Sequence, residues 1–484
     1  MNKELKRVSI VVLLMFVALF TSTSVIQVVS ADALGSDPRN VRTLYDSFSA
    51  QRGPILVDGA AIAQSNPVDD NFSYLRVYSN GPLYAPITGY FTLNQGNTGI
   101  EGALNDTLSG TSNAQFFDQI NSIFTGQAPK GDAVELTIDP VVQQAAWDAL
   151  GTNSGSVVAL NPKTGAILAM VSTPSFDPNL LAVHSTSDVL SAYKSLDSDP
   201  AKPLANRAIA GDLYPPGSVF KLVVAAAAID SGKYTADSVF PNPPTLRLPQ
   251  TSRDITNSEG GSCGGGETVT IATALRLSCN IPFAELGAEL GYDAIDAKAK
   301  ELGFGSSFDI PMRTTPSVYP QTDSDAQQML SSFGQASVRV TPLQIAMVAS
   351  AIANDGTLMQ PTLVESILAP DLTVREELQP TVYNTPMSSE TAETLTQMMI
   401  SAVSNGVGSN ARISGVNVAG KTGTAENGDG DPYTLWFTGF APAENPEVVV
   451  AVVVENGGGL GRRGFGNTVA APIAKKVLEA VLNK

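Results

Sequence analysis

The distribution of apolar and polar positions divides the chain into distinct textures. From Val8 to Ala31 it runs 24 residues without a charge, enough to cross a bilayer as a helix. Lys3, Lys6 and Arg7 precede this run, a bias that predicts cytoplasmic residues 1–7 and an exported body. Ala31-Asp32-Ala33 fits a small-residue cleavage site, so a cleaved signal peptide is the competing expectation. The length of the apolar run favours an uncleaved anchor over 8–31. Residues 32–132 follow as a smaller region of short β-like pieces, such as Gly53–Gly59 and Tyr74–Tyr78, separated by Gly, Pro and Asn turns.

The pattern changes at about residue 133. Val134–Ile138 reads as a strand, and Asp139-Pro140 as a helix start with Asp as cap and Pro at the first helical position. Val141–Leu150 is the expected helix. Gly155–Ala159 and Ala166–Val171 are apolar strands joined by the turn Asn161-Pro-Lys-Thr-Gly165. Residues 218–405 are helix-rich, with segments at Val219–Ile229, Ile271–Leu277, Ile281–Leu290, Pro342–Ala353 and Ser389–Val403. Strands return at Val416–Ala419 running into Lys421–Ala425, at Leu435–Ala441 and at Val448–Glu455, before a last helix, Thr468–Leu482. Strands at both ends with helices between predict one α/β domain over 133–484, an antiparallel sheet with an inserted helical subdomain. The mixed β-rich region and the transmembrane helix precede it.

Composition narrows the chemistry. The net charge is −17, although only 15% of residues are charged, and an acidic surface repels phosphate backbones, so no nucleic-acid partner is expected. One histidine and two cysteines are too few for a zinc site. A Ser-His-Asp triad would need His184, which sits in the polar stretch His184-Ser-Thr-Ser-Asp and is expected on an exposed loop. Any serine nucleophile must therefore find another base. In an exported body, Cys263 and Cys279, 16 residues apart, are expected to form a disulfide. By chain entropy its loop closure is worth about 3 kcal/mol. Five glycines flank Cys263, so the segment is loose without that staple.

The sharpest local feature is Tyr214-Pro-Pro-Gly-Ser-Val-Phe-Lys221. The prolines and glycine force a turn, and an Ala/Val-rich helix follows. Ser218 is placed at its N-terminus and Lys221 on the same face. The helix end favours an alkoxide at Ser218 and disfavours a cation at Lys221, so Lys221 can serve as a neutral base. Ser278-Cys279-Asn280 forms a tight link between two helices, able to present Ser278 and Asn280 into a cleft. Lys421-Thr422-Gly423-Thr424 follows an apolar strand, where it supplies a cation, hydroxyls and, at Gly423, close approach for a substrate backbone. Lys163-Thr-Gly165 repeats the triplet but occupies a hairpin tip, and is assigned to turn geometry.

Ser-x-x-Lys, Ser-x-Asn and Lys-Thr-Gly in this order, with gaps of about 60 and 140 residues, form the motif set of penicillin-binding proteins and class A β-lactamases. Arg52-Gly-Pro-Ile-Leu-Val-Asp58, Asn161–Met170, Asn206-Arg-Ala208, Val340-Thr-Pro-Leu-Gln344 and Ala419–Ala425 are also similar to class B penicillin-binding proteins. The chain resembles that family over nearly its whole length, in particular the short actinobacterial penicillin-binding protein A type. No glycosyltransferase domain is expected before the first region, and no sensor domain after the last helix.

The resemblance implies a penicillin-binding/serine β-lactamase-like transpeptidase domain acting on peptidoglycan stem peptides that end in D-Ala-D-Ala. It assigns acylation to Ser218, the base to Lys221, a proton relay to Ser278 and positioning to Asn280. Lys421, Thr422 and Thr424 hold the terminal carboxylate, and the N–H groups of Ser218 and Thr424 form the oxyanion hole. β-Lactams are the expected inhibitors, and no cofactor or metal is implied. By the same resemblance residues 32–132 are a non-catalytic, dimerisation-like pedestal, and the expected partner is a SEDS-type membrane glycosyltransferase. Rival readings are a serine β-lactamase, a D,D-carboxypeptidase with water as acceptor, and a β-lactam sensor. The seven residues before Val8 are short for a sensor.

Overall fold

A computed structural model describes residues 2–30, 48, 50–115, 130–258, 260–322, 324–377 and 379–484. Ala31-Asp32-Ala33 and the start of the 32–132 region lie outside the described residues. The uncharged N-terminal run is helical, with Asn2–Ser24 continued by a π-turn over Val25–Val29. Its side chains from Val8 to Phe20 are exposed. Lys3–Gln27, whose most apolar 18-residue stretch has a mean hydropathy of 2.4, is long and apolar enough to cross a membrane.

In the first region Asp58-Gly59 makes a two-residue turn with φ of 50° and 71°, the conformation this pair favours. It joins Ile55–Val57 to Ala60–Pro67, which pairs in turn with Tyr74–Tyr78. The sheet then recruits distant chain. Ala133–Leu136 lies parallel to Ile55–Val57, Val364–Leu368 pairs antiparallel with Ala133–Leu136, and Val374–Glu377 forms the far edge. The expectation had put residue 133 onward in the second domain and read 218–405 as helix-rich. Instead, three strands from that chain complete a six-stranded mixed sheet of the first region. Val364–Leu368 and Val374–Glu377 are half-buried to exposed along both faces, so no apolar period marks them.

Glu101 is fully buried in this region, 2.5 Å from Arg52 Nε and 2.6 Å from Arg76 Nε. The Tyr78 hydroxyl donates to it over 3.2 Å. Burial pushes the Glu101 carboxyl up, but Arg76 and Arg52 outweigh it and hold its pKa below the ordinary value.

The second sheet has five strands, β1 (Gly155–Leu160), β2 (Ile167–Thr173), β3 (Ala419–Ala425), β4 (Thr434–Ala441) and β5 (Val448–Val454). Their order is β3-β4-β5-β1-β2, and every pairing is antiparallel, as expected. Along β5 the side chains alternate between two cores. Val450 and Val452 face α1 (Pro140–Leu150) and the C-terminal helix Ala470–Leu482, while Val449, Ala451 and Val453 face the helical side. Asp139 caps α1 as its sequence predicts, accepting from the N–H groups of Val141 and Val142 at 3.0 and 3.1 Å.

Between β2 and β3 lies the helical insertion: α2 (Lys221–Asp230), α3 (Ile281–Glu301), α4 (Pro342–Ala353) and α5 (Ser389–Ser404). The expected end of α3 at Leu290 corresponds to a kink at Gly291, where φ is 76°, after which the helix resumes. The buried α4 packs on β1, β4 and β5 and anchors the insertion to the sheet. Edge strand β3 and the N-terminal ends of α2 and α3 thus meet at one cleft.

Candidate active site

Ser218 does not lie in the α-helix itself. Gly217–Phe220 is a 3₁₀ turn that runs into α2. In that geometry residues three apart eclipse, so Ser218 and Lys221 share a face more closely than α-helical spacing gives. The turn is fixed from several sides. The backbone of Tyr214 pairs with Val340 at 3.0 and 2.9 Å, and Gly217 N–H donates to Gly334 O at 2.9 Å. Gly217 adopts φ 53° against Thr424 and Ala425, where a Cβ would sit 3.1 Å from both. The Tyr214 hydroxyl donates to Glu455 at 2.6 Å, and Arg207 Nε donates to the same oxygen at 3.0 Å.

Residues Lys221 to Ala228 of α2 are all buried, so the Lys221 amine sits in apolar surroundings. It donates to Ser278 O at 2.8 Å and to Asn280 Oδ1 at 2.9 Å. The rings of Phe283 and Phe333 lie 5.6 and 6.0 Å away. Burial, aided by repulsion from Lys421, drives its pKa well below the ordinary lysine value. The helix-end argument from sequence therefore gives way to desolvation as the main cause.

The Ser278-Cys279-Asn280 link turns sharply, with φ of 61° at Ser278. The sulfurs of Cys263 and Cys279 are bonded. The N–H groups of Asn280 and Ile281 both donate to Asn257 Oδ1, at 2.9 and 3.1 Å. Asn280 Nδ2 donates to Thr256 O at 3.0 Å, which leaves its oxygen facing Lys221. Asn257 was not singled out from the sequence, because only the folded hairpin brings it to this turn.

Lys421 on β3 is fully buried and donates to Ser278 Oγ and Thr422 O, each at 2.8 Å. Burial lowers its pKa to about 7. Thr422 and Thr424 line the cleft. Gly423 also serves the packing of the site. A Cβ there would approach Pro216 O and Trp436 Cβ to 3.0 Å, so the glycine lets the nucleophile loop close on the strand. As the sheet's edge strand, β3 keeps alternate backbone groups free of strand partners.

The cleft encloses about 940 Å³ and holds Ser218, Ser278, Asn280, Thr422 and Thr424 in its walls. Among the described residues two carboxylates line it, Asp254 paired with Arg247 and Glu426 lying 3.9 Å from Arg253. His184 is absent from the walls. It occupies a loop, as expected, but it is not exposed: its ring packs on Phe72 and Phe48, and Nδ1 lies 2.6 Å from Asp70 Oδ2. The aromatic residues of the first region cover it, which its own polar flanks could not reveal. Lys163 does occupy an exposed turn, at the end of β1 and three strands across the sheet from β3. Glu455 and Trp436, which brace the Ser218 loop, carried no sequence signal beyond the rarity of tryptophan.

The chain belongs to the class B penicillin-binding proteins. Residues 155–479 match the penicillin binding protein transpeptidase domain, and residues 52–134 match the penicillin binding protein A dimerisation domain. Along its full length it is 42% identical to peptidoglycan D,D-transpeptidase PbpA of Mycolicibacterium smegmatis, with all of that protein covered. It is 41% identical to PbpA of Mycobacterium tuberculosis, over 100% of this chain and 99% of that one. The ceftriaxone acyl-enzyme of M. tuberculosis penicillin-binding protein A superimposes with a TM-score of 0.86 at 39% identity, over 90% of this chain and 100% of that one. Pseudomonas aeruginosa PBP2 gives 0.75 at 29% identity, over 90% and 96%.

Proposed function

We propose that this chain is a membrane-anchored peptidoglycan D,D-transpeptidase whose acyl-enzyme forms on Ser218. The observation that carries the reading is the buried Lys221 amine, three residues after Ser218 at the start of α2 and held by Ser278 O and Asn280 Oδ1. Burial drives the Lys221 pKa well below the ordinary lysine value, which disfavours its charged form and suits it to take the Ser218 proton.

The steps conserve bonds and protons. Ser218 Oγ attacks the carbonyl carbon of the penultimate D-Ala, and Lys221 takes its proton. The N–H groups of Ser218 and Thr424 hold the oxyanion, each worth about 3–4 kcal/mol in such sites. The C–N bond to the terminal D-Ala breaks, and Ser278, bridged to Lys421, delivers a proton to the leaving amine. An amine of a neighbouring stem then attacks the ester and displaces Ser218; Lys221 returns the first proton to Ser218, and the proton lost by the attacking amine restores Ser278. One peptide bond is exchanged for another, so no cofactor is required. Lys421, Thr422 and Thr424 bind the terminal carboxylate, which a β-lactam also presents.

The apolar N-terminal helix supports anchoring with residues 1–7 cytoplasmic and the catalytic domain outside. The first region then serves as a pedestal and as the docking surface for a SEDS-type membrane glycosyltransferase. The test is labelling with fluorescent penicillin together with crosslinking of a D-Ala-D-Ala peptide. Release of D-Ala with formation of a crosslinked dimer supports the proposal, and release of D-Ala with only the hydrolysed peptide contradicts it.

A further inference from the structure

Among the described residues, one ion pair joins the two walls of the cleft. Arg253 NH2 lies 3.9 Å from Glu426 Oε2. Arg253 belongs to the hairpin turn before Asp254–Thr256, on the wall that also carries Ser278 and Asn280. Glu426 directly follows β3, two residues beyond Thr424. Arg253's backbone is pinned, its N–H donating to Thr251 Oγ1 at 3.1 Å and its carbonyl accepting from Leu248 N–H at 3.0 Å. Both side chains are more than half exposed, at 63% and 53%. Such a loose, hydrated pair opens at little cost. Neighbouring charges are otherwise occupied: Arg247 holds Asp254, and Arg462 lies over the Tyr433 ring with Nε 3.3 Å from its hydroxyl.

The position matters because of how a peptide lies on an edge strand. A donor whose terminal carboxylate is held at Thr422 and whose reacting carbonyl sits at Thr424 runs antiparallel to β3. The residue before its reactive dipeptide then falls beside Ala425 and Glu426, about 3.3 Å further on per residue. A cation and an anion facing each other across that position complement a side chain that carries both charges. Its carboxylate replaces Glu426 on Arg253, and its ammonium replaces Arg253 on Glu426.

We infer that Arg253 and Glu426 form a specificity subsite for a donor stem whose third residue is a diaminodicarboxylic acid with a free amino-carboxylate end. This inference rests on the transpeptidase reading above. Arg253 and Glu426 are specificity residues, since neither touches the reacting atoms. A side chain ending in ammonium alone satisfies Glu426 but leaves Arg253 without its carboxylate, and an alkyl side chain satisfies neither.

The test compares three thioester donors that differ only in this residue: the diaminodicarboxylic acid, lysine and norleucine. Thiol release is measured with a D-amino acid acceptor, and rates are normalised to active sites titrated with fluorescent penicillin. The expected wild-type order is diaminodicarboxylic acid, lysine, norleucine, with about a tenfold or greater span in kcat/KM, typical of discrimination through paired polar groups. Arg253→Gln is expected to bring the first donor down to the lysine donor. Glu426→Gln is expected to bring the lysine donor down to norleucine. Donor ratios unchanged in both variants overturn the inference. Equal acceleration of all three donors also overturns it, because the pair is then a latch. Penicillin labelling of the wild type with equal rates for the three donors overturns the subsite alone. Absence of both labelling and thiol release overturns the transpeptidase reading and the subsite with it.

Discussion

The indole N–H of Trp436 donates to the carbonyl of Pro215 over 2.9 Å, so β4 holds the chain three residues before Ser218. The Tyr214 ring packs edge-on against the same indole, with centroids 6.1 Å apart. Trp436→Phe keeps the ring but removes the donor and leaves a buried carbonyl unpaired. The cost is about 1–3 kcal/mol in stability. Because the lost bond positions the nucleophile loop, acylation by penicillin is expected to slow about tenfold, read as a fall in the acylation step with initial binding retained. Stopped-flow acylation and thermal melts measure the two effects separately.

Ser218→Ala is expected to fold and to lose covalent penicillin labelling completely. Lys221→Ala is expected to retain Ser218 but to acylate about 10²–10⁴-fold more slowly, the range for loss of a positioned base. Intact-protein mass spectrometry after exposure to penicillin reads both. An adduct on Ser218→Ala at the wild-type rate removes Ser218 from its role.

Lys421 titrates at about 7 in the fold, against an ordinary value of 10.5. Between those pH values the unfolded chain binds the proton that the folded chain has lost, so stability rises with pH across that window. At pH 7 the burdened lysine costs on the order of 4 kcal/mol, by 1.36 kcal/mol per unit. Lys421→Met is expected to be the more stable protein at pH 7, with a gain that shrinks towards pH 10 and with transpeptidation lost. Denaturant unfolding at several pH values measures this. In the wild type, the acylation rate is expected to fall as pH rises past about 7, because the charge on Lys421 is then lost.

Glu101 lies buried between Arg52 and Arg76. Removing one member of such a cluster leaves uncompensated buried charge, typically costing about 3–5 kcal/mol. Glu101→Gln is therefore expected to destabilise the first region strongly. The wild-type contribution is present above the ordinary carboxylate range and is lost as pH falls through the depressed Glu101 value. Hydrogen exchange at the strands Ile55–Val57 and Tyr74–Tyr78 localises the effect. Unaltered protection there contradicts it.

Much of the site was legible because its parts are local. The turn before Ser218, the link at Ser278–Asn280 and the strand at Lys421 each announce their geometry through prolines, glycines and flanking apolar runs. The hairpin-turn context after Asn161-Pro162 then separated the triplet at Lys163 from Lys421. What escaped was non-local. Asn257, Glu455 and Trp436 act through atoms supplied by segments far away in sequence. The 3₁₀ form of the Ser218 turn depends on contacts with Val340 and Gly334. His184 was misjudged because the surface that covers it comes from the first region. The packing of Gly423 against Pro216, a segment far away in sequence, was likewise out of reach.

The pedestal sheet has Tyr74–Tyr78 on one edge and Val374–Glu377 on the other. In the proposed topology the chain emerges behind its anchor in N-to-C order, so the opening hairpin comes early, but the edge of Ala133–Leu136 stays unpaired until residues 364–377 have emerged. Closing so long a loop is slow, and an open strand edge is vulnerable while it waits. The pedestal is therefore completed only after most of the catalytic domain has been delivered. A chain cut short before residue 364 leaves the edge of Ala133–Leu136 open, an edge that the finished protein covers with Val364–Leu368.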